Sequence, residues 1–186
     1  DYFEWKYYRF AQYETYFYTG GKELAVYVAK VAKPYIKEQE EFFEYGLKDK
    51  IQFIIYNKQS HFKQSNVGLN LEGGEVGGIT NIMGSKVFLY YNGDREDFSR
   101  QIKEGIAQIM VNQQVYGASW TQVLKNSSLL TLPDWYHLGL TSYISNHWSP
   151  EIENQVRDGV LSGKYKKFNR LSEREAIYAG HSMWAY

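Results

Sequence analysis

The chain of 186 residues contains no cysteine. That excludes disulfides and thiolate metal sites and leaves His, Asp and Glu as the ligands a metal could find. It has three prolines, and no run reaches the ~18 consecutive apolar residues that a membrane-spanning helix requires. Net charge is also missing. Lys plus Arg and Asp plus Glu both number 21, so no long-range field steers the protein to nucleic acid or to an anionic membrane. Phosphate-loop and nucleophile-elbow patterns are absent as well. The run Glu72-Gly73-Gly74-Glu75-Val76-Gly77-Gly78 has no Lys-Ser/Thr ending, and Gly117-Ala118-Ser119-Trp120 lacks the Gly-x-Ser-x-Gly spacing. The basic, ring-bearing segment Lys164 to Arg170 is short and reads as a solvated loop, so no nucleic-acid partner is expected.

What the chain has is rings: 18 Tyr, 10 Phe and 5 Trp, within a composition that is 44% hydrophobic and 23% charged. This is enough for one globular domain with a core built largely from aromatic side chains. The chain opens on Asp1, and its last run, Glu173 to Tyr186, reads as helix with no stop signal. It therefore reads as a piece of a longer protein, with any signal peptide outside it.

Tyr13 to Tyr18 is β-branched and aromatic and ends at Gly20-Gly21, the pattern of a strand entering a turn. The period then changes. Leu24, Val28, Val31, Tyr35, Gln39 and Phe42 recur at helical spacing, predicting one long helix from about Lys22 to Tyr45 with a kink at Pro34. Strands are expected at Ile51 to Tyr56 and Lys86 to Tyr91. The Gly-rich stretch between them holds a short strand at Gly78-Ile79-Thr80 and a turn near Gly84-Ser85. From Arg95 the pattern is helical, with helices at Arg95 to Gln114, Asp134 to Asn146, Ser149 or Pro150 to Leu161, and from Ser172.

Two of these helices carry a resemblance. Lys103-Glu104-Gly105-Ile106-Ala107, within Gln101 to Met110, and Leu132-Pro133-Asp134-Trp135-Tyr136-His137-Leu138-Gly139-Leu140-Thr141-Ser142-Tyr143 resemble the two active-site helices of the peptidase-MA-like gluzincin metallopeptidases. In that family the first helix carries His-Glu-x-x-His. The second reads roughly Pro-x-Trp-x-x-Glu-Gly-x-Ala-x-Tyr, and its Glu is the third zinc ligand. The chemistry needs two imidazoles one helical turn apart, a third ligand from a neighbouring helix and a carboxylate to deprotonate the metal-bound water. Here the ligand positions fall on Lys103, Ala107 and Leu138, and only Glu104 matches the general base. Pro133, Trp135, Gly139 and Tyr143 keep the framework of the second helix. The opening segment, with Phe3, Trp5, Tyr16 to Tyr18 and Gly20-Gly21, is similar to the N-terminal region of such domains in Bacteroidetes-type envelope proteins, where a TolB-like β-propeller follows in the same chain.

The resemblance implies an α+β fold: a single zincin-like (gluzincin) domain over residues 1–186, with a small, mainly antiparallel sheet, a long N-terminal helix and a C-terminal helical subdomain. Residues 1–94 form the strand-rich part and 95–186 the helical part. It implies an inactive, metal-free pseudopeptidase without cofactor, periplasmic or in the cell envelope, serving as a protein-interaction or structural module. Its partner is a protein or peptide, received along the strand Val87, Phe88, Leu89 and Tyr90 by β-augmentation. Glu104 is expected to pair with Lys103, Lys125 or a buried Tyr, and Lys103 to reach the surface or fill the former metal space with an ion pair. Two alternatives stand beside this. One is an active metal-dependent peptidase with displaced ligands, drawing on Glu104, His137 and a distant His, although His137 points about 100° around the helix from Leu138. The other is a carbohydrate- or small-ligand-binding domain that uses exposed Tyr and Trp rings.

Overall fold

The structure, a computed structural model, describes residues 3–65, 81–117, 133–165, 167 and 170–186. Gly78 to Thr80, the run Glu72 to Gly78, Ala118 to Trp120, Lys125 and part of the Lys164 to Arg170 segment lie outside the described residues. The fold class is α+β. The elements are β1 (Trp5–Arg9), β2 (Tyr13–Tyr18), α1 (Lys22–Phe43), β3 (Ile51–Tyr56), α2 (Gln59–Lys63), β4 (Asn81–Met83), β5 (Lys86–Tyr90), α3 (Arg95–Tyr116), α4 (Asp134–Asn146), α5 (Pro150–Leu161) and α6 (Glu173–Ala185). They fall into two compact units, residues 1–121 and 122–186.

In the first unit the sheet order is β1-β2-β3-β5-β4. The outer pairs, β1 with β2 and β4 with β5, are antiparallel, whereas β2 with β3 and β3 with β5 are parallel. The sheet is thus mixed, not mainly antiparallel as the sequence suggested. The reason is α1: a long helix between two strands carries the chain back to the end where it started, so β3 must run alongside β2. The turn at Gly84-Ser85 does close a hairpin, with Gly84 at φ 63°, a left-handed conformation that glycine adopts without steric penalty.

Strict alternation gives the sheet two faces. One presents Tyr13, Phe17, Ile51, Phe53, Ile55, Val87 and Leu89 to Ala25, Val28, Ala32 and Ile36 of α1 and to Phe98, Ile102, Ile106, Ile109 and Met110 of α3. Helix α3 therefore belongs with the strands and not with the helical part, and the division of the chain lies at 121/122, not at 94/95. Asp94 starts this helix by accepting from the N–H groups of Glu96 and Asp97, as an N-cap should. Helix α1 runs on through Pro34 and stops at Glu44, whose φ of 48° turns the chain out of the helix. The other face carries a second cluster, Tyr18, Tyr56, Phe62 and Phe88, with Phe62 supplied by α2, which the sequence pattern did not reveal.

In the second unit the main packing is α4 against α6, with α5 also against α6. Helix α4 buries Gly139, Leu140, Thr141, Ser142, Ile144 and Ser145. Ser149 caps α5, and Ser172 with Glu175 forms a capping box at the start of α6.

Candidate functional site

Three of the positions singled out by sequence lie together on α3. Ala107 is fully buried, and so is Ile106 beside it. Lys103 is half-buried: its Nζ lies over the Tyr35 ring, 4.8 Å from the centroid, while its carbonyl accepts from Gln39 Nε2 at 3.0 Å. Both partners come from α1, so this face of α3 is spent on helix–helix contact. Glu104 is 6% exposed, and its Oε1 accepts from Arg100 Nη1 at 3.0 Å. Arg100 also pairs with Asp97. Burial works against the guanidinium charge, but Glu104 and Asp97 more than offset it, and the Arg100 pKa lies above its ordinary value. Among the described residues Arg100, one helical turn earlier, is thus a partner of Glu104, while Lys125, one of its expected partners, lies outside them.

Gly105 completes this stretch. A β-carbon there would fall inside the van der Waals envelope of Val87, so the helix comes down on β5 only because position 105 has no side chain. Val87, Phe88 and Leu89 are buried, and Tyr90 is half-buried with its N–H and carbonyl bonded to the Gln101 amide. This strand is not an open edge: β3 pairs with it from Lys86 to Tyr90 and β4 from Lys86 to Phe88. The expectation of peptide addition along Val87 to Tyr90 is corrected accordingly, because an added strand needs unpaired main-chain groups. Among the described residues the terminal strand on that side of the sheet is β4.

The fourth position, Leu138, lies on α4 in the second unit and is half-buried. Next to it, Gly139 packs on Gly180 of α6. A β-carbon on Gly180 would overlap the Trp135 carbonyl and approach Gly139, so the two backbones touch. Pro133 opens α4, and Trp184 Nε1 donates to the Tyr136 carbonyl at 3.2 Å. His181, 1% exposed, shares a hydrogen bond of 3.0 Å between its Nδ1 and Ser142 Oγ and meets the Tyr143 ring edge-on at 5.7 Å. His137 is half-buried as a residue, yet its Nε2 is enclosed. Burial lowers the pKa of both imidazoles, against smaller opposing effects of Asp134 on His137 and of the His147 and Ser142 carbonyls on His181.

As a donor set these residues do not fit zinc. An alkylamine, a methyl and an isobutyl group stand where two imidazoles and a carboxylate are needed. Among the described residues no group of three or more His, Asp or Glu side chains converges on one point. Surface grooves lie elsewhere, one lined by Lys22, Tyr27, Lys30 and Arg95 and another by Asp158, Lys164, Tyr165 and Arg174. The ring-rich face of the sheet is largely packed: Tyr18, Tyr56 and Phe88 are buried, Phe62 stacks on Tyr90, and exposure is concentrated at Phe3, Trp5 and Tyr7. Among the described residues no helix is long and apolar enough to cross a membrane. No protein-family model, curated protein or solved structure matches this chain.

Proposed function

We propose that this chain is a zincin-like domain of the gluzincin type that has kept its scaffold without the zinc chemistry. It would serve as a protein-interaction or structural module of a periplasmic or envelope protein that continues into a β-propeller. The observation that carries the reading is how α3 uses its ligand-matching positions. Ala107 is sealed in the core, Lys103 is laid on the Tyr35 ring, and Glu104 is held by Arg100. Each is engaged in packing or pairing, and lysine, alanine and leucine offer neither imidazole nor carboxylate at the three ligand-matching positions. Glu104 by itself is a weak hydrolytic group, because without a metal the water it would deprotonate keeps a pKa of about 15.7 rather than ~7.

An extended peptide partner would pair with the outer edge of β4 and extend the sheet beyond its terminal strand. Two measurements test the proposal. Protein purified without chelators should carry no stoichiometric zinc and cleave no peptide; one zinc per chain held through His137 would overturn the loss of chemistry. Calorimetric titration against extended peptides should show binding that Ile82→Pro, in the middle of β4, abolishes. Binding that Ile82→Pro leaves intact would place the partner elsewhere.

A further inference from the structure

Among the described residues the opposite edge of the sheet is β1, whose hydrogen-bonding phase follows from its pairing. Phe10 N donates to Tyr13 O at 2.9 Å, so that facing pair is hydrogen-bonded. Antiparallel pairs alternate. With Arg9 opposite Glu14, Tyr8 opposite Thr15, Tyr7 opposite Tyr16, Lys6 opposite Phe17 and Trp5 opposite Tyr18, it is Tyr8 and Lys6 that bond to β2. The main-chain groups of Trp5, Tyr7 and Arg9 point away from the sheet. A second bond agrees with this phase: Gln12 O accepts from Ile51 N at 3.1 Å, so the even-numbered residues of β2 face β3 and the odd-numbered ones face β1. Trp5 and Tyr7 are exposed, at 39% and 52%, as are Lys6 and Arg9.

We infer that β1 is a self-pairing edge, on which a second copy of this chain docks antiparallel with Tyr7 opposite Tyr7. This inference goes beyond the proposed function and does not rest on it. The register follows from the phase, because it is the one that engages all three outward-facing residues, with Trp5 of each copy opposite Arg9 of the other and Tyr7 on the two-fold axis. It also places Lys6 opposite Tyr8. Every unlike pair then sets a cation against a ring, a favourable contact, and no like charges meet. Sliding each strand by one residue would put Lys6 against Lys6. The two ring-bearing faces become one, because a register that pairs a residue with itself keeps side-chain alternation continuous across the axis. Zero net charge adds no long-range repulsion between copies. A strand edge is smaller than a standard interface, so the expected dissociation constant is weak, about 10–100 μM.

The absence of cysteine makes the test clean. Hydrogen-bonded antiparallel partners have Cα atoms about 5.5 Å apart, within disulfide reach, whereas two copies of residue 6 in this register lie roughly 8 Å apart, beyond it. Tyr7→Cys should therefore oxidise to a covalent dimer at least ~10-fold faster than Lys6→Cys. In sedimentation velocity the unmodified 186-residue chain should pass from monomer to dimer between about 5 and 500 μM. Tyr7→Pro removes an outward N–H and none of the bonds to β2, and should weaken the dimer by at least ~10-fold. A chain monomeric throughout that range would overturn the inference, and so would a dimer indifferent to Tyr7→Pro or equal cross-linking at positions 6 and 7. If Tyr7→Pro fails to fold, the cysteine pair decides.

Discussion

The two units make their helix contacts in different ways. In the first, α3 meets the sheet and α1 through Phe98, Ile102, Ile106, Ile109 and Met110, with a single glycine, Gly105, where Val87 comes close. In the second, α4 meets α6 backbone to backbone at Gly139 and Gly180, and the buried neighbours Thr141, Ser142, Ser145 and His181 are polar. One contact is stabilised mainly by apolar area removed from water, the other by close backbone approach with polar side chains set beside the apolar Leu140, Ile144 and Ile177. The difference bears on the framework residues of the resembled motif. Gly139 is needed for the α6 crossing, so its presence follows from packing and does not require a metal beside it.

The sharpest way to break this contrast is Gly180→Val. Backbone cannot yield as a side-chain end can, and the new side chain would collide with the Trp135 carbonyl and with Gly139. The expected loss is at least about 4 kcal/mol, the range of severe core defects. It would appear in urea titrations as the second unit unfolding before the first. A shift of under ~1 kcal/mol would mean that the crossing is loose.

Gly105→Ala tests the first unit in the same way with a smaller expected effect, because what the new methyl meets is the Val87 side chain. We expect a loss of about 1–3 kcal/mol from overpacking. Adding Val87→Ala should return part of it, giving a coupling of at least ~0.5 kcal/mol in a double-mutant cycle. Additive losses would show that helix and strand accommodate the methyl without contact.

Much of this was legible beforehand, and the boundary has physical causes. Helices with long apolar stripes or hard punctuation were placed within two residues: α1 from its repeat of apolar residues, α4 behind Pro133, α5 behind Ser149-Pro150 and α6 behind Ser172. Sheet order was not legible, since Ile51 to Tyr56 and Lys86 to Tyr90 are apolar on both faces and such runs do not state their neighbours. Peptide addition along β5 was expected from the resemblance alone, and β5 lies between β3 and β4. Short α2 carries one buried residue, Phe62, too little for a period. At the site, the ligand-matching positions could be read as chemically empty from residue type alone, but what Lys103 and Glu104 do instead could not. Tyr35 is far from Lys103 in sequence, and Arg100, one turn from Glu104, was not among the partners expected for it.

The gentlest test changes only pH. His137 and His181 both lie in the second unit, and burial, the dominant influence on each, lowers its pKa below the 6.5 of an exposed imidazole. As pH falls below 6.5 the unfolded chain takes up protons that the folded unit resists, so the second unit loses stability, and the loss levels off once pH has passed the folded pKa values. Glu14, in the first unit, behaves differently. Its hydrogen bond from Tyr16, opposed by burial and aided by Arg9 and Gln52, lowers the carboxyl pKa below 4.5. That contribution is intact above pH 4.5 and disappears only as pH falls through the folded value. Between pH 7 and pH 5 the second unit should therefore soften first, seen as earlier hydrogen exchange in α4 and α6 than in β2 and β3. His181→Asn, which cannot take up a proton, should flatten that slope even if it lowers stability at every pH. A slope unchanged in His181→Asn and in His137→Gln would locate the acid sensitivity outside the α4–α6 crossing and remove pH as a way of telling the two units apart.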